Sequence, residues 1–324
     1  MKILITGITG LLGNNTARIL QSQGHSLRGL TRSAQKSAAF EGLDVEIIEG
    51  DILDPSDVLR AMKGCEAVVH CAAETRQWPT ALRLYESNIA GTRHILKAAE
   101  LAGVGRLIHV STVNAFARGT KSNPGTEARE YEGGRRTPGY IQSKIMAQRL
   151  VLDAARAGRI SALVVNPSFL LGPYDRKPSS GRLIIASYGK RVAPALPGGR
   201  NFVHVRDAAA AIANSLTRGA VGECYILAHE NLTYREFFGI LAKATKKASL
   251  KIPIPAYLLK TLGALFGFLA PSRTPLDSAN AAWLCSGQYY SAAKAVRDLG
   301  MPQTPVAAAV TEAIEWFLQK GYLS

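Results

Sequence analysis

Two kinds of block recur along this chain: short apolar runs of strand length, and longer stretches in which apolar residues return at helical spacing. The first block, Lys2 to Thr6, carries Ile3, Leu4 and Ile5 and predicts a strand. Leu11 to Gln23 follows with Leu11, Leu12, Ala17, Ile19 and Leu20 and no proline, and predicts a helix. Downstream the same reading gives strands at His25 to Thr31, Val45 to Asp51, Ala67 to Ala73, Arg106 to Thr112 and Ile160 to Asn166. Helices are predicted at Pro55 to Met62, at Ala81 to Ala102 and at Pro138 to Ala157. Such alternation predicts an α/β fold, a doubly wound parallel sheet with helices on both faces and ligand at the carboxyl ends of its strands. Gly7, Asp51, Ala72, Thr112 and Asn166 all fall at those ends.

The link between the first strand and helix is Thr6-Gly7-Ile8-Thr9-Gly10-Leu11-Leu12-Gly13. Glycines here let the chain turn tightly, let backbone approach a pyrophosphate and let helix pack on strand, with the helix N-terminus facing the anion. Strand before and helix after make this a dinucleotide seat rather than an ordinary turn. An NAD site of this kind places Asp or Glu about 20 residues past the glycines, to hold the ribose 2'-hydroxyl. In this chain the second strand ends Leu30-Thr31-Arg32, Lys36 follows, and the first acidic residue is Glu41. A guanidinium suits a 2'-phosphate, so NADP is favoured over NAD, with ordinary solvated charges as the competing reading of Arg32 and Lys36.

Further on, Tyr140 and Lys144 stand four residues apart on one predicted helix and therefore share a face. A nearby ammonium favours the phenolate and is expected to draw the tyrosine pKa down from its usual value of about 10. The phenol can then give a proton to a carbonyl oxygen as hydride reaches carbon, or take one back in reverse. Ser111-Thr112, at the end of a strand aimed at the same crevice, offers a hydroxyl to orient the substrate oxygen. Together with the glycine loop, the pair points to a nicotinamide-dependent oxidoreductase.

Composition narrows the class. A chain of 324 residues with 47% hydrophobic residues can hold about two domains and a substantial core. Cys65, Cys71, Cys224 and Cys285 are scattered, which indicates neither a disulfide framework nor a metal site and suggests a reducing, cytoplasmic setting. Met1-Lys2 leads straight into the first strand, so no signal peptide is expected. The net charge of +15 is spread along the chain without any nucleic-acid module. An anionic cofactor, an acidic substrate or a negative membrane surface fits it better than nucleic acid.

The ordered motifs resemble those of the extended short-chain dehydrogenases/reductases. They most resemble the dihydroflavonol-reductase-like branch, which also contains 3β-hydroxysteroid dehydrogenases and the hopanoid-associated sugar-epimerase type. The resemblance is carried by Thr6-Gly-x-x-Gly-x-x-Gly13, Gly50-Asp51-Ile52, Val69-His70-Cys71-Ala72-Ala73, Asn88-Ile-Ala-Gly91-Thr92, Val110-Ser111-Thr112, Tyr140-x-x-Ser143-Lys144, Asn166-Pro167-Ser168, Gly172-Pro173, Phe202-Val203-His204-Val205-Arg206-Asp207, Tyr290-Ser291-x-x-Lys294 and Trp316-Phe317. It implies a Rossmann sheet with a smaller, mostly helical C-terminal substrate-binding region, divided as 1–165 with 201–228 and 166–200 with 229–324. It further implies that Asp51 and Ile52 hold adenine and that Ala72 and Ala73 line the cofactor groove beside Gly7, Gly10, Leu11, Leu12 and Gly13. Thr112, Tyr140 and Lys144 would form the catalytic triad, Asn88 would brace it, and Pro167, Ser168 and Leu170 would meet the nicotinamide. Three positions depart from the pattern: Thr112 replaces the usual Ser, leaving Ser111 as a substitute, Gln148 replaces Glu, and Arg206 precedes Asp207 where an acidic residue is common.

For the substrate, the candidates are Phe169 to Arg200 and Asn231 to Ser324. Arg176, Lys177, Arg182, Lys190 and Arg191 make the first of these basic, which suits an acidic or phosphorylated substrate or simply a solvated face. Gly119 to Gly139 reads as a mobile loop at the pocket mouth, and Trp78 as a pocket wall or a packing residue. Ile254 to Pro271 holds about 15 helical residues between prolines, roughly 22 Å, too short for a bilayer core of about 30 Å. It reads as a buried helix, or as a lid that rests on lipid and gives peripheral membrane contact. The expected protein is an NADP-dependent reductase or dehydrogenase acting on a small-molecule carbonyl or alcohol, a homodimer without nucleic acid. An NAD-dependent nucleotide-sugar epimerase or dehydratase is the alternative, and a non-catalytic dinucleotide sensor the third.

Overall fold

The computed structural model describes residues 1–33, 39–75, 85–132, 139–190, 192–246, 250–259, 261 and 285–324. Lys36, Trp78, Arg191, residues 133–138 of the Gly119 to Gly139 loop and most of Ile254 to Pro271 lie outside them. Among the described residues no helix is long and apolar enough to cross a membrane.

The first six strands are β1 (Lys2–Thr6), β2 (Ser26–Thr31), β3 (Glu46–Glu49), β4 (Ala67–His70), β5 (Arg106–Val110) and β6 (Ala162–Pro167). Next come β7 (Phe169–Leu171), β8 (Val192–Ala195), β9 (Gly199–His204), β10 (Cys224–Leu227), β11 (Glu230–Thr233), β12 (Leu250–Pro253) and β13 (Gly287–Gln288). Seven of them form a sheet in the order β10-β6-β5-β4-β1-β2-β3, with every neighbouring pair parallel. Ile3, Leu4 and Ile5 are fully buried because helices cover both faces. That is why β1 reads as a continuous apolar run and not as an alternation. The order reverses between β1 and β4, so the loops leaving these two strands part there and leave a crevice at their carboxyl ends.

Four helices carry the elements that matter below: α1 (Leu11–Ser22), α2 (Pro55–Met62), α3 (Gly91–Leu101) and α4 (Gly139–Arg156). The α2 span is the predicted one. Its start is fixed by Asp54, whose carboxylate accepts from Ser56 N, and by Pro55 in the first turn. The described part of the predicted helix Ala81 to Ala102 is helical from Tyr85 onward, with one local departure: Glu86–Ala90 is a π-helical turn, after which α-helix resumes at Gly91. Asn88 stands inside this turn, its amide tied to Glu74 on one side and Ser143 on the other, in keeping with the frequent place of such turns at functional sites.

A second core lies around β9. β7, β11 and β13 pair with it, and Phe202, Phe237, Phe238, Trp316 and Phe317 pack beside them. Phe202 stacks on Phe237 with ring centroids 4.4 Å apart and planes 6° apart, a geometry worth about 0.5–1.5 kcal/mol beyond area burial. Helices Tyr234–Ala244 and Val306–Gln319 supply much of this core.

Candidate active site

Gly7 turns the chain out of β1 in the left-handed region at φ 71°, where other residues are strained. A side chain there would also meet the backbone following β4, with its Cβ 2.7 Å from Ala72 N. Gly13 has the same role on the helix side, since its Cβ would lie 2.4 Å from Gly7 O. These contacts draw β1, α1 and the β4 exit together. Gly10, the N-cap of α1, makes no side-chain cap, so first-turn N–H groups are left for an anion from outside the helix. A cradle shaped by two glycines with uncapped amides at its base fits a dinucleotide pyrophosphate.

The groove in front of it, about 400 Å³, is lined by Gly7, Gly10, Leu11, Leu12, Gly13, Arg32, Asp51, Ile52, Ala72 and Ala73, all expected from the sequence. Asp51 accepts from Leu53 N at 3.1 Å, and Ile52 packs so close to α3 that a Cβ on Gly91 would lie 2.8 Å from its Cδ1. Arg32 sits exposed just past β2. Glu41, the first carboxylate after it, is held elsewhere, by Lys320 at 2.8 Å. Asp175, Lys177 and Ser179 also reach the groove; Lys177 belongs to the basic stretch read as suiting a substrate, while no local pattern had marked Asp175 and Ser179.

Beneath the groove runs a buried polar chain. Ala72 N donates to Thr6 Oγ1 (3.2 Å), which lies 2.7 Å from His70 Nδ1; His70 Nε2 lies 3.1 Å from Thr92 Oγ1, and Thr92 donates to Asn88 O at 2.7 Å. Because the Thr92 proton is committed to Asn88, His70 must donate from Nε2, and its Nδ1 therefore accepts from Thr6. This is a neutral imidazole, in keeping with burial that pushes its pKa down to about 3. Asn88 continues the chain to Ser143 (2.9 Å), and Ser143 donates to Tyr140 O (2.8 Å). Asn88 thus braces the first turn of α4 from β4 and the π-helical turn.

Lys144 lies buried one turn after Tyr140, its Nζ donating to Val110 O at 2.6 Å, and Val110 lines the groove. Burial lowers the ammonium pKa to about 8 and raises the half-buried Tyr140 phenol to about 12. The expected downward pull of the ammonium on the phenol is therefore not what governs this site: loss of hydration outweighs it.

Of the two candidate hydroxyls, Thr112 lines a cavity of about 190 Å³ with Val113, Asn114, Pro167, Ser168, Phe169, Arg200, Asn201, Gln288 and Tyr290. Ser111 is buried, with no hydrogen-bond partner for its hydroxyl among the described residues, and lines neither cavity. Leu170 is paired in β7 and also lines neither. Gln148 accepts from Asn166 Nδ2 at 2.7 Å, so an amide fills the carboxylate's structural place.

Sequence reading had named Thr112, Pro167 and Ser168 of this second cavity, quoted Tyr290 in a motif and held Phe169, Arg200 and Gln288 only within broad substrate segments; Val113, Asn114 and Asn201 it missed. Arg200 spreads over the Phe169 ring at 4.5 Å and donates to Gln288, while Asn201 accepts from Ser168 and donates to Asn231. The sequence signal available was Arg200-Asn201 directly before the quoted Phe202 motif. Gln288 had none, because 87 positions separate it from Asn201.

The chain is 33% identical over 330 residues to the protein named "Putative dihydroflavonol 4-reductase" of Synechocystis sp., covering 98% of this chain and 95% of that one. It is 30% identical over 338 residues to "Sterol demethylase protein B" of Methylococcus capsulatus, with 100% of each covered. The solved structure of gox2253 superposes with a TM-score of 0.88 at 32% identity, covering 99% of each chain. Residues 3–228 match the NAD dependent epimerase/dehydratase family. The chain belongs to that family, in the dihydroflavonol-reductase-like branch of the extended short-chain dehydrogenases/reductases.

Proposed function

We propose that this protein is an NADP(H)-dependent oxidoreductase that interconverts a ketone or aldehyde with the alcohol. The observation that carries the cofactor assignment is Arg32 at the exit of β2, lining the groove, with the nearest following carboxylate, Glu41, held by Lys320. The guanidinium would grip a 2'-phosphate through two hydrogen bonds, while α1 amides and the Gly7–Gly13 cradle receive the pyrophosphate. Bound there, the cofactor supplies or accepts hydride. Thr112 orients the substrate oxygen, Tyr140 donates or accepts its proton, and Lys144 places positive charge at the groove wall. Pro167 and Ser168 close the nicotinamide end, and residues from β9 onward form the substrate side of the smaller cavity.

Relatives named for a reductase and a sterol demethylase support a bulky, largely apolar substrate. The rival reading, an NAD-dependent nucleotide-sugar epimerase, draws on the family match and on Arg200 in the smaller cavity, which could hold a diphosphate. A reductase consumes its cofactor stoichiometrically and releases it, whereas an epimerase returns hydride each turnover and gains by retaining NAD. The test follows absorbance during incubation with ketones, aldehydes, hydroxysteroids and nucleotide sugars. We expect NADPH to be consumed mole for mole with a carbonyl compound, and Arg32→Ala to weaken NADPH while sparing NADH. Protein that purifies with NAD and interconverts a nucleotide sugar without net absorbance change would overturn the proposal.

A further inference from the structure

Alternate residues of the loop following β7 face two different cavities. Asp175, Lys177 and Ser179 line the dinucleotide groove, while Tyr174 and Arg176 line a separate pocket of about 420 Å³. Arg176 therefore serves neither the groove nor the smaller cavity, although its place in a basic stretch had suggested substrate contact.

The pocket has aromatic walls and a cationic rim. Trp316 stacks on Tyr322 at 5.7 Å and 21°, and Tyr174 stands 6.1 Å from Trp316 under the Arg18 guanidinium at 3.8 Å. Tyr174 holds φ at 70°, a strained conformation for a residue with a side chain, and its ring is kept in this wall by Arg18 and Trp316. The Trp316 indole N–H is buried without an acceptor among the described residues. Among the described residues, Arg18, Arg176 and Lys320 line the pocket against a single carboxylate, Glu41, which is paired with Lys320. Arg18 donates to Asn14 Oδ1 and to Glu41 O, which are neutral acceptors, so its charge and that of Arg176 are left in excess among the described residues. Flat aromatic walls favour a planar ring, and guanidiniums favour a carboxylate or sulfonate upon it.

Two rigid links join this pocket to the groove. One is the shared loop, held by Asn15 donating to Pro173 O and by Asp175 accepting from Ser179 N and Gly181 N. The other is α1, which carries Gly10 to Gly13 at its start and Arg18 two turns on. We propose that the Tyr174–Trp316–Tyr322 pocket is a second ligand site for a small aromatic carboxylate or sulfonate, and that its occupant changes dinucleotide affinity through this loop and helix. The coupling rests on the groove holding a dinucleotide; the site itself does not.

Calorimetric titration of the full chain with naphthalene-2-sulfonate, alone and after saturation with NADPH, tests both parts. The expected result is binding of one probe per chain in each case, with affinities at least threefold apart and an equal reciprocal shift for NADPH. Arg176→Glu should weaken the probe tenfold or more and leave NADPH affinity in its absence within twofold. Arg176→Gln, milder for folding, should give a smaller loss in the same direction. Displacement of the probe by NADPH, absence of binding at millimolar concentration, or unchanged binding in Arg176→Glu would overturn the site. Equal probe affinity with and without NADPH would overturn the coupling. Failure of NADPH and NADH to bind at all would overturn the dinucleotide reading and the coupling, while probe binding lost in Arg176→Glu would still uphold the site.

Discussion

Tyr140 and Lys144 are shifted in opposite directions by one cause, loss of hydration, which disfavours phenolate and ammonium alike. With its pKa near 12, the phenol is protonated at any working pH, the form that carbonyl reduction needs. Lys144 carries its charge below about 8 and loses it above. The profile of kcat/KM for reduction is therefore expected to be level through neutrality and to fall along a limb near pH 8. Lys144→Arg should lower the rate but remove that limb, since a guanidinium keeps its proton; a limb unmoved in that variant would assign it to another group. Tyr140→Phe should cut kcat by about 10²–10⁴ with little change in NADPH affinity. Stability moves the other way with pH: the buried Lys144 charge costs most below about 8, and the cost is relieved as pH climbs toward the ordinary 10.5. The Tyr140/Lys144 pair was legible because helical spacing is written in sequence. The direction of the tyrosine shift was not, because it is set by burial, which depends on the packing of the folded chain.

Among the elements, the glycine loop was the most legible, and the structure separates its glycines by task. A Cβ on Gly13 would strike Gly7 O at 2.4 Å, whereas one on Gly10 would approach the same atom only to 3.3 Å. Gly13→Ala should therefore destabilise the protein by about 1–3 kcal/mol, the usual range for overpacking. Gly10→Ala should cost less stability and more dinucleotide affinity, because its side chain would stand where the pyrophosphate approaches. Denaturant unfolding without cofactor and calorimetric titration with NADPH measure the two effects, and parallel losses in both variants would contradict this division. Strand interiors were read correctly, but β4 and β5 end earlier than predicted. Cys71 to Ala73 leave the sheet to meet Gly7, and Thr112 leaves it to line the smaller cavity. The π-helical turn was invisible, since apolar periodicity tolerates a local widening and Asn88's partners, Glu74 and Ser143, lie far from it in sequence.

At the scale of the whole molecule, the parallel sheet follows from the rhythm of strands and helices, while the second core does not. Phe169, Phe202, Phe237 and Phe317 come together around β9 from segments far apart in sequence, and Gln288 reaches the smaller cavity by the same long-range pairing. Charge is the other global property, and it bears directly on the cofactor. A chain of net charge +15 draws anions from a distance, and Arg32 meets the 2'-phosphate from an exposed position where salt screens it. Raising ionic strength from about 0.01 M to 1 M shortens the screening length from about 30 Å to 3 Å. Affinity for both NADPH and NADH should fall over that range, but NADPH should fall further, so the NADPH to NADH preference shrinks with salt. Arg32→Ala should start with a smaller preference and show a flatter salt dependence of that ratio. A preference that holds constant with salt in the unmodified protein would place the discrimination in buried contacts and remove Arg32 from the role assigned to it.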